Sequence, residues 1–237
     1  MSVTVWHDVE CGSYTADLGL WRELAAAEAG PVLDIGAGTG RVAIDLAAAG
    51  HEVCALDREP ELLAALEERA AARGLSVTTV TADARSFVLE QRFGLIVVPM
   101  QTVQLLPERH GFFGACRRHL LPGGLLAIAI TAELEEFDAA TTPLPLPDVV
   151  RVGGWRFESQ PLAVRLGPRG ARIERIRRTI DPGGRTVDEH EDVIDLAHVS
   201  VAALQEEGGA AGLIPEPTRH IFPTTEHVGS EVALLRG

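Results

Sequence analysis

The sequence predicts an α/β protein with a doubly wound sheet of seven strands and a small antiparallel β insertion after the fifth strand. Three observations support this fold class. Apolar runs typical of strands alternate with helical patterns up to about residue 132. A glycine-rich turn at 36–40 joins the first predicted strand to a helix. After a proline-rich linker at 141–147, the pattern changes to β-rich segments separated by turns.

The first half of the chain shows a regular alternation of elements. A helix is predicted over residues 13–29, with Ser13 as its N-cap, because Tyr14, Leu18 and Trp21 recur at helical spacing. Strands are predicted near 31–35, 52–56, 77–81, 93–98 and 124–131, and helices near 39–49, 60–73 and 107–119. This alternation predicts a parallel sheet with helices on both faces, whose ligands lie at the carboxyl ends of the strands.

The second half is predicted to contain the insertion and the end of the sheet. Segments at 155–159, 162–166, 171–180 and 185–197 predict a small antiparallel sheet, with a hairpin turn at 181–184. A helix capped by Ser200 is expected to run to Glu207 and stop at the glycines that follow. Strands near 213–221 and 231–236 complete the seven-stranded sheet. We therefore expect one domain over 1–237, with its core at 30–135 and 200–237 and the insertion at 140–199.

The glycine-rich turn points most directly to a ligand. Residues 34–40 read D-x-G-x-G-x-G, and glycines there let the backbone approach a bound molecule closely. A dinucleotide fingerprint, G-x-G-x-x-G, needs a third glycine. Counted from Gly36, that position is Arg41; counted from Gly38, it is Ala43, which the fingerprint tolerates. A nicotinamide dinucleotide therefore stays open as an alternative ligand.

Two further acidic residues follow predicted strands and suit an adenosine-type ligand. Asp57 ends the second strand, where a carboxylate can accept hydrogen bonds from both ribose hydroxyls. The same residue is a candidate N-cap for the helix that begins near Glu59, and both roles can hold together. Asp83 ends the third predicted strand in the same way.

Together with the pattern L-x-P-G-G-x-L at 120–126, these motifs resemble those of the class I S-adenosylmethionine (SAM) dependent methyltransferases. The four motifs occur in family order over residues 32–130. The resemblance implies a Rossmann-like fold, SAM as methyl donor and S-adenosyl-L-homocysteine as product. It implies that Asp34 helps to hold the cationic methionine end of SAM and that Asp83 meets the adenine amino group. The implied cofactor-binding residues are Asp34, Gly36, Ala37, Gly38, Gly40, Asp57, Arg58, Asp83, Ala84 and Pro99.

The resemblance also suggests where the methyl acceptor binds. In this family an N-terminal segment often closes over SAM, and the region after the fifth strand covers the substrate, which excludes water from the reaction. The candidate catalytic residues are His198, His7 and Tyr14. The candidate substrate contacts are Gln101, Gln104 and Trp155. Simple helix packing is an equally supported role for Tyr14, and burial in the core is the alternative for Trp155. His119 is expected either on the surface or as a partner of the dipole at the C-terminal end of its helix.

Composition limits the classes of partner. The net charge of −13 disfavours nucleic-acid binding, which needs a basic face, and the arginines at 169–178 are interpreted as the solvated face of a strand. No apolar run reaches the roughly 18 residues of a membrane span. The N-terminus has no signal-peptide pattern, and the three cysteines have no metal-binding spacing. We expect a cytoplasmic protein with a small-molecule substrate and without a metal, nucleic-acid or membrane partner; a homodimer is a candidate assembly.

The function predicted from these observations is methyl transfer from SAM to a nitrogen or oxygen atom of a small-molecule acceptor in secondary metabolism, by in-line displacement. Two alternatives come from other classes of protein. One is an NAD(P)-dependent oxidoreductase, and the other is a non-catalytic protein that binds SAM. The motifs indicate the methyl donor and leave the acceptor open.

Overall fold

A computed structural model describes residues 3–131, 134–225 and 227–237, which divide into two units. Among these residues, the core unit comprises 15–131, 199–225 and 227–237, and the insertion unit comprises 3–14 and 134–198. Each unit has its own β-sheet. No helix in the described part of the chain is long and apolar enough to cross a membrane.

Within the described residues, the two units contain twelve strands and six α-helices. The strands are β1 (Val32–Ile35), β2 (Val53–Asp57), β3 (Thr78–Thr81), β4 (Phe93–Val98), β5 (Leu120–Thr131), β6 (Phe137–Asp138), β7 (Asp148–Val152), β8 (Trp155–Gly167), β9 (Gly170–Ile180), β10 (Thr186–Ala197), β11 (Ile214–Ile221) and β12 (Ser230–Arg236). The helices are α1 (Val3–Cys11), α2 (Leu18–Ala27), α3 (Arg41–Ala48), α4 (Pro60–Ala72), α5 (His110–His119) and α6 (Val201–Ala210), and a short 3₁₀ helix spans Thr102–Leu105.

The core unit contains the predicted seven-stranded sheet, in the order β11–β12–β5–β4–β1–β2–β3. Strands β1 to β5 pair in parallel, whereas β12 pairs antiparallel with both β5 and β11. Every residue of β1, β2 and β4 is buried, as expected for parallel strands covered on both faces. The strand order reverses direction between β1 and β4, and ligands of such sheets bind outside the carboxyl ends at this point.

Helix α2 differs from its prediction. It begins at Leu18, with Asp17 as its N-cap residue, so the predicted start at residue 13 and the Ser13 cap are wrong. The Asp17 side chain makes no capping hydrogen bond, because it accepts the indole N–H of Trp21 at 2.8 Å. The preceding segment forms α1, which the sequence did not predict.

Glycines explain two further differences in the core unit. Strand β5 begins before the predicted turn, because Gly123 donates its N–H to the carbonyl of Gly237 at 3.1 Å and the C-terminus pairs with this segment. Helix α6 is capped by Ser200, as predicted, since Ser200 Oγ accepts the N–H of Ala203 at 3.2 Å. It does not stop at its glycines, however. A Cβ at Gly208 would lie 2.7 Å from Leu235 Cδ2, so close packing requires this glycine.

The insertion unit contains an antiparallel sheet in the order β10–β9–β8–β6, with β7 paired to β8. The two segments predicted at 155–159 and 162–166 form the single strand β8, because a register shift after Pro161 accommodates the proline within the pairing. The hairpin turn at 181–184 is confirmed: Asp181 donates its N–H to the carbonyl of Arg185 at 2.9 Å. Strands β6 and β7 were not predicted.

Helix α1 packs on this antiparallel sheet through a charged cluster. Glu10 forms ion pairs with Arg175 at 2.9 Å and Arg177 at 2.8 Å, and Asp192 pairs with Arg177 at 2.9 Å. The side chains of Arg175 and Arg177 are only 13% and 17% exposed. The interpretation of 169–178 as a solvated face is therefore wrong for these two arginines. Arg172, on the opposite face of β9, is half exposed.

Candidate cofactor site

The glycine turn connects β1 to α3 and folds against the end of β2. Gly36, Gly38 and Gly40 have φ values of 75°, 54° and 91°, in the left-handed region that favours glycine. The N–H groups of Gly36 and Ala37 both donate to the carbonyl of Leu56, at 2.8 and 3.1 Å. Gly40 donates to the carbonyl of Ala37 at 2.9 Å. The shape of the turn is therefore set by its own backbone and by β2.

Close packing adds a second requirement for glycine at both ends of this turn. A Cβ at Gly36 would lie 2.5 Å from Thr102 Cγ2, and a Cβ at Gly40 would lie 2.5 Å from Leu66 Cγ. Both distances are shorter than real Cβ contacts allow. The contact with Thr102 also brings the turn against the segment that follows β4, where substrate contacts are predicted.

Asp57 holds the turn from the end of β2. Its Oδ2 accepts the N–H of Gly38 at 2.8 Å, and its Oδ1 accepts the N–H of Glu59 at 3.0 Å. The N-cap residue of α4 is Glu59, so the alternative prediction of Asp57 as N-cap is wrong. A carboxylate has about four lone-pair sites, so Asp57 retains capacity for further donors such as ribose hydroxyls.

Asp34 is a buried acid without a hydrogen-bond partner. It is 1% exposed, and neither carboxylate oxygen is paired within the described residues. Burial raises the pKa of Asp34 to about 7, while the charge of Arg41 lowers it. The nearby N–H of Ala43 also lowers this pKa, without forming a hydrogen bond of normal geometry. An unpartnered buried carboxylate is costly, so this site is suited to a cationic group.

These contacts separate the two ligands that the turn could hold. The pyrophosphate of a dinucleotide binds to free backbone N–H groups at such a turn. Here the N–H groups of Gly36, Ala37, Gly38 and Gly40 all donate within the protein. The group left without a partner is the carboxylate of Asp34. The residues present therefore fit the cationic methionine end of SAM and disfavour NAD(P).

Asp83 lies close to the end of β2, since Ala82 donates its N–H to the carbonyl of Asp57 at 3.0 Å. Its carboxylate accepts hydrogen bonds from the Arg85 side chain, with Nη2 to Oδ2 at 2.6 Å, and from the Arg85 backbone N–H at 2.8 Å. These hydrogen bonds lower the pKa of Asp83 to about 2. An adenine amino group would share this carboxylate with Arg85, and the predicted adenine contact stays a prediction.

The other predicted cofactor residues follow β2, β3 and β4 and differ in their exposure. Arg58 is exposed and pairs with Glu59 at 3.3 Å, and Ala84 is half-buried. Pro99 is buried at the end of β4, and its carbonyl accepts the hydroxyl of Thr102 at 3.0 Å. Their contacts with a cofactor stay predictions.

An unusual backbone conformation follows Pro99. Met100 has a φ of 54°, and it is the only non-glycine residue with positive φ in the part of the chain that the structure describes. Such a conformation costs free energy and is found most often at functional sites. Sequence analysis did not single out Met100, because no local signal indicates this conformation.

The predicted substrate contacts Gln101 and Gln104 flank the turn that follows Met100. Gln101 is half-buried, whereas Gln104 is buried and its Oε1 accepts the N–H of Thr131 at 2.9 Å. Gln104 therefore ties the 3₁₀ helix to the end of β5. A role for either side chain in substrate binding stays a prediction.

The remaining candidates lie in the insertion unit. His7 is half-buried in α1, and Tyr14 is buried. His198 is exposed after β10, and its N–H donates to the carbonyl of Arg169 at 2.9 Å. Trp155 is 39% exposed at the start of β8, so the alternative of a buried core tryptophan is wrong. The roles of these four residues in catalysis and substrate binding stay predictions.

Sequence analysis missed an ion pair beside the glycine turn. Arg41 donates to both carboxylate oxygens of Asp17, with Nη1 to Oδ1 at 2.5 Å and Nη2 to Oδ2 at 2.8 Å. The side chains are 10% and 1% exposed. The available signal was an arginine directly after the last glycine, with an acid inside the predicted helix 13–29.

Of the two alternatives predicted for His119, the surface position is wrong, whereas its place as the last residue of α5 fits a role at the helix C-terminus. It is buried, its Nε2 accepts the N–H of Leu89 at 2.8 Å, and its ring lies 4.7 Å from that of Phe87. Its Nδ1 lies 2.7 Å from the carbonyl of Ala115. Both ring nitrogens are therefore used within the core unit.

Comparisons with known proteins agree with this geometry. A family model described as "Methyltransferase domain" matches residues 32–124, and no curated protein matches the chain. Two solved structures share the fold with a TM-score of 0.73 each. SAM-bound CalS10, an amino pentose methyltransferase from Micromonospora echinaspora, is 21% identical, with 100% of this chain and 98% of that one covered. The sugar N-methyltransferase KedS8 from a Streptoalloteichus species is 20% identical, with 100% and 94% covered.

A third structure is the glycopeptide N-methyltransferase MtfA complexed with SAM. It is 26% identical with a TM-score of 0.55, and 95% of this chain and 96% of that one are covered. The matched domain contains the turn at 34–40, Asp57 and Asp83. Residues 32–124 therefore match a methyltransferase domain, and the whole chain shares the fold of SAM-bound methyltransferases.

Proposed function

We propose that this protein transfers the methyl group of SAM to a nitrogen or oxygen atom of a small-molecule acceptor in secondary metabolism, by in-line displacement. The observation that carries the proposal is the unpartnered, buried carboxylate of Asp34 beside a turn whose N–H groups are already used. The similar structures named above are an amino pentose methyltransferase, a sugar N-methyltransferase and a glycopeptide N-methyltransferase. They favour an amine nitrogen, for example that of an amino sugar, as the acceptor.

We assign the cofactor-binding roles from the hydrogen-bonding groups at the carboxyl ends of the strands. Asp34 would pair with the ammonium group of the methionine end, and Asp57 would accept the ribose hydroxyls. Asp83 would accept the adenine amino group, with Ala84 against the ring. Gly36 to Gly40 would let the backbone lie close beneath the methionine end. When bound, SAM supplies an electrophilic methyl group on a sulfonium.

The protein's task in such a transfer is to align the acceptor with the methyl group and to keep water away. An amine attacks in its neutral form and can lose its proton to solvent, whereas a hydroxyl acceptor more often needs a base. We propose that His198, His7 or Tyr14 takes this proton when a base is required, and that Gln101, Gln104 and Trp155 contact the acceptor. The insertion at 140–199 would cover the substrate.

The test is an acceptor screen with the purified protein and SAM. Amino sugars and glycosides carrying amino sugars would be compared with matched compounds in which a hydroxyl replaces the amine, with S-adenosyl-L-homocysteine and methylated product measured by mass spectrometry. We expect both products in equal amounts with an amine acceptor. Transfer to the hydroxyl compounds alone would contradict the preference for nitrogen, and turnover that requires NAD(P) would contradict methyl transfer.

Matched variants connect this activity to the site. Asp34→Ala should abolish product formation at a SAM concentration that saturates the wild type. Asp195→Ala, which removes an exposed carboxylate paired with Arg172 at 3.2 Å, should leave it unchanged. We also propose that the protein is cytoplasmic and that it forms a homodimer. Size-exclusion chromatography with light scattering tests the homodimer.

A further inference from the structure

The carboxylate of Asp34 lies where neighbouring strands offer it no partner. In the sheet, Asp34 of β1 is in register with Ala55 of β2 and Val97 of β4, whose side chains are apolar. It is 1% exposed, and both oxygens lack a hydrogen-bond partner among the residues described. An ionised carboxylate is disfavoured in such surroundings, because burial removes its hydration without replacing it.

The charges that face Asp34 come from three elements. Arg41 at the start of α3 is the cation among them, and Asp57 of β2 and Asp17 before α2 are the acids. Cys54 of β2 also faces Asp34, and burial raises its pKa to about 11, which keeps this thiol neutral. Strand β4 contributes no titratable side chain.

The one facing cation is already engaged. Arg41 is held by both oxygens of Asp17, at 2.5 and 2.8 Å, and Asp17 also accepts the indole N–H of Trp21. The Asp17 charge offsets that of Arg41, so Arg41 stabilises an ionised Asp34 less than a single cation would. This arrangement leaves Asp34 next to a neutralised ion pair rather than next to a free positive charge.

We propose that Asp34 is protonated in the ligand-free protein on the acid side of neutral pH, that binding of the SAM ammonium group there displaces its proton, and that the Asp17–Arg41 pair sets the pH of this exchange. This inference rests on the proposed function, because it assigns the Asp34 side chain to the methionine end of SAM. The proton leaves Asp34 for the solvent, and the ammonium group forms an ion pair with the carboxylate that remains. Asp17 and Arg41 act as positioning residues, through Asp34.

The proposal predicts a two-sided pH profile for SAM affinity. With the pKa of Asp34 at about 7, affinity should fall on the acid side, where the carboxyl must first lose its proton. From about pH 7.5 to about pH 5.5 the expected loss is roughly 20-fold. On the alkaline side, affinity should fall as the ligand's own amino group loses its proton, which for an α-amino group occurs at about 7.7–8.0. Only the loss of affinity on the acid side therefore reports the titration of a protein group.

Two substitutions should move the acid side in opposite directions. Asp17→Asn keeps an oxygen for Trp21 and removes the charge that offsets Arg41, so the acid midpoint should fall by about one pH unit. Arg41→Gln removes the cation that favours the ionised form of Asp34, so the midpoint should rise by a similar amount. A purely structural role would weaken binding at all pH values and leave both midpoints in place.

The experiment is calorimetric titration of the full chain across this pH range, in two buffers of different ionisation enthalpy. SAM is compared with methylthioadenosine, which keeps the nucleoside and lacks the ammonium group. We expect release of up to one proton with SAM below pH 7, no acid-side loss with methylthioadenosine, and opposite shifts in the two variants. SAM affinity without pH dependence, an equal acid-side loss with methylthioadenosine, or same-direction shifts would overturn the inference. Failure of SAM to bind at any pH would instead overturn the proposed function.

Discussion

The carboxylate of Asp57 accepts the backbone N–H of Gly38 at 2.8 Å, which joins the end of β2 to the glycine turn after β1. The acid assigned to the ribose thus also fixes the turn assigned to the methionine end. Because one side chain serves both, the two parts of the cofactor site are coupled, and a change at Asp57 should affect each of them.

Asp57→Ala should weaken SAM binding and lower stability together. Removing an acceptor of charged hydrogen bonds costs about 1.5–3 kcal/mol, or roughly 10- to 150-fold in affinity. The N–H of Gly38 also loses its partner, which lowers the free energy of unfolding by about 1–3 kcal/mol. Calorimetry and urea denaturation measure the two effects. Asp57→Asn is the matched variant, because it keeps an acceptor for Gly38 and should restore more stability than affinity. An affinity unchanged in Asp57→Ala would refute the ribose role.

Gly36→Ala should disrupt the turn for two reasons. Its φ of 75° is unfavourable for alanine, and the new Cβ would lie 2.5 Å from Thr102 Cγ2. The backbone term costs about 1–2 kcal/mol, and the clash adds about 1–3 kcal/mol. We expect a lower urea midpoint and a loss of SAM affinity.

Gly50→Ala is the control for this prediction. Gly50 has a φ of 93° and no atom within 4 Å of an added Cβ, so it tests the backbone term alone. A second substitution, Thr102→Ala, should restore part of the stability lost in Gly36→Ala, because it removes the clashing atoms. Equal losses in the Gly36 and Gly50 variants, without rescue, would show that the contact with Thr102 is unimportant.

Asp17→Ala should be among the most destabilising single changes in the core unit. It leaves the largely buried Arg41 guanidinium and the Trp21 indole N–H without their shared acceptor. Breaking a buried pair by removing one partner costs about 3–5 kcal/mol. Arg22→Ala removes the pair between Arg22 and Asp45, in which Arg22 is half exposed, and should change stability far less, because solvent screens this pair. Similar urea midpoints for both variants would contradict this assignment.

The acid stability of the insertion unit should depend on Glu10. Burial raises the pKa of Glu10, but the hydrogen bond and charge of Arg177, the charge of Arg175 and the Ser159 hydroxyl outweigh it, so the net pKa lies below 4.5. A lowered pKa means that the stabilisation is present above 4.5 and is lost as pH falls through the folded-state value. Glu10→Gln should therefore be less stable than the wild type near neutral pH.

The difference in stability between the wild type and Glu10→Gln should disappear as the pH falls below 4.5. Denaturation midpoints at a series of pH values measure this difference. Glu189→Gln, which removes the exposed partner of Arg178, provides the control and should differ little from the wild type at any pH. A constant gap between wild type and Glu10→Gln would mean that the charge of Glu10 does not stabilise α1 on its sheet.

Local patterns predicted most of the core unit. The apolar runs of β1, β2 and β4 need only burial on both faces to become parallel strands, and the motif at 34–40 needs only glycine in left-handed conformations. These signals lie within a few residues of one another, so sequence analysis could find them. The same holds for the Ser200 cap and the turn at 181–184.

Features that depend on distant contacts were missed. Arg41 and Asp17 are 24 positions apart, and no pattern links them before the chain folds. Helix α1 is nine residues long and buries only Trp6 and Val9, so its periodicity is weak and the pairing of Glu10 with β9 stabilises it. Pro161 lies inside β8 because a register shift accommodates it, and no local pattern shows where such a shift will occur.

The central claim is that the turn at 34–40, with Asp34 and Asp57, binds SAM. The most direct test is calorimetric titration of the wild-type protein with SAM, S-adenosyl-L-homocysteine, NAD and NADP at about pH 7.5, between the two limbs expected for the pH profile. The account predicts one-to-one binding of SAM and S-adenosyl-L-homocysteine, with no heat from either dinucleotide. Binding of NAD or NADP, without binding of SAM, would contradict it.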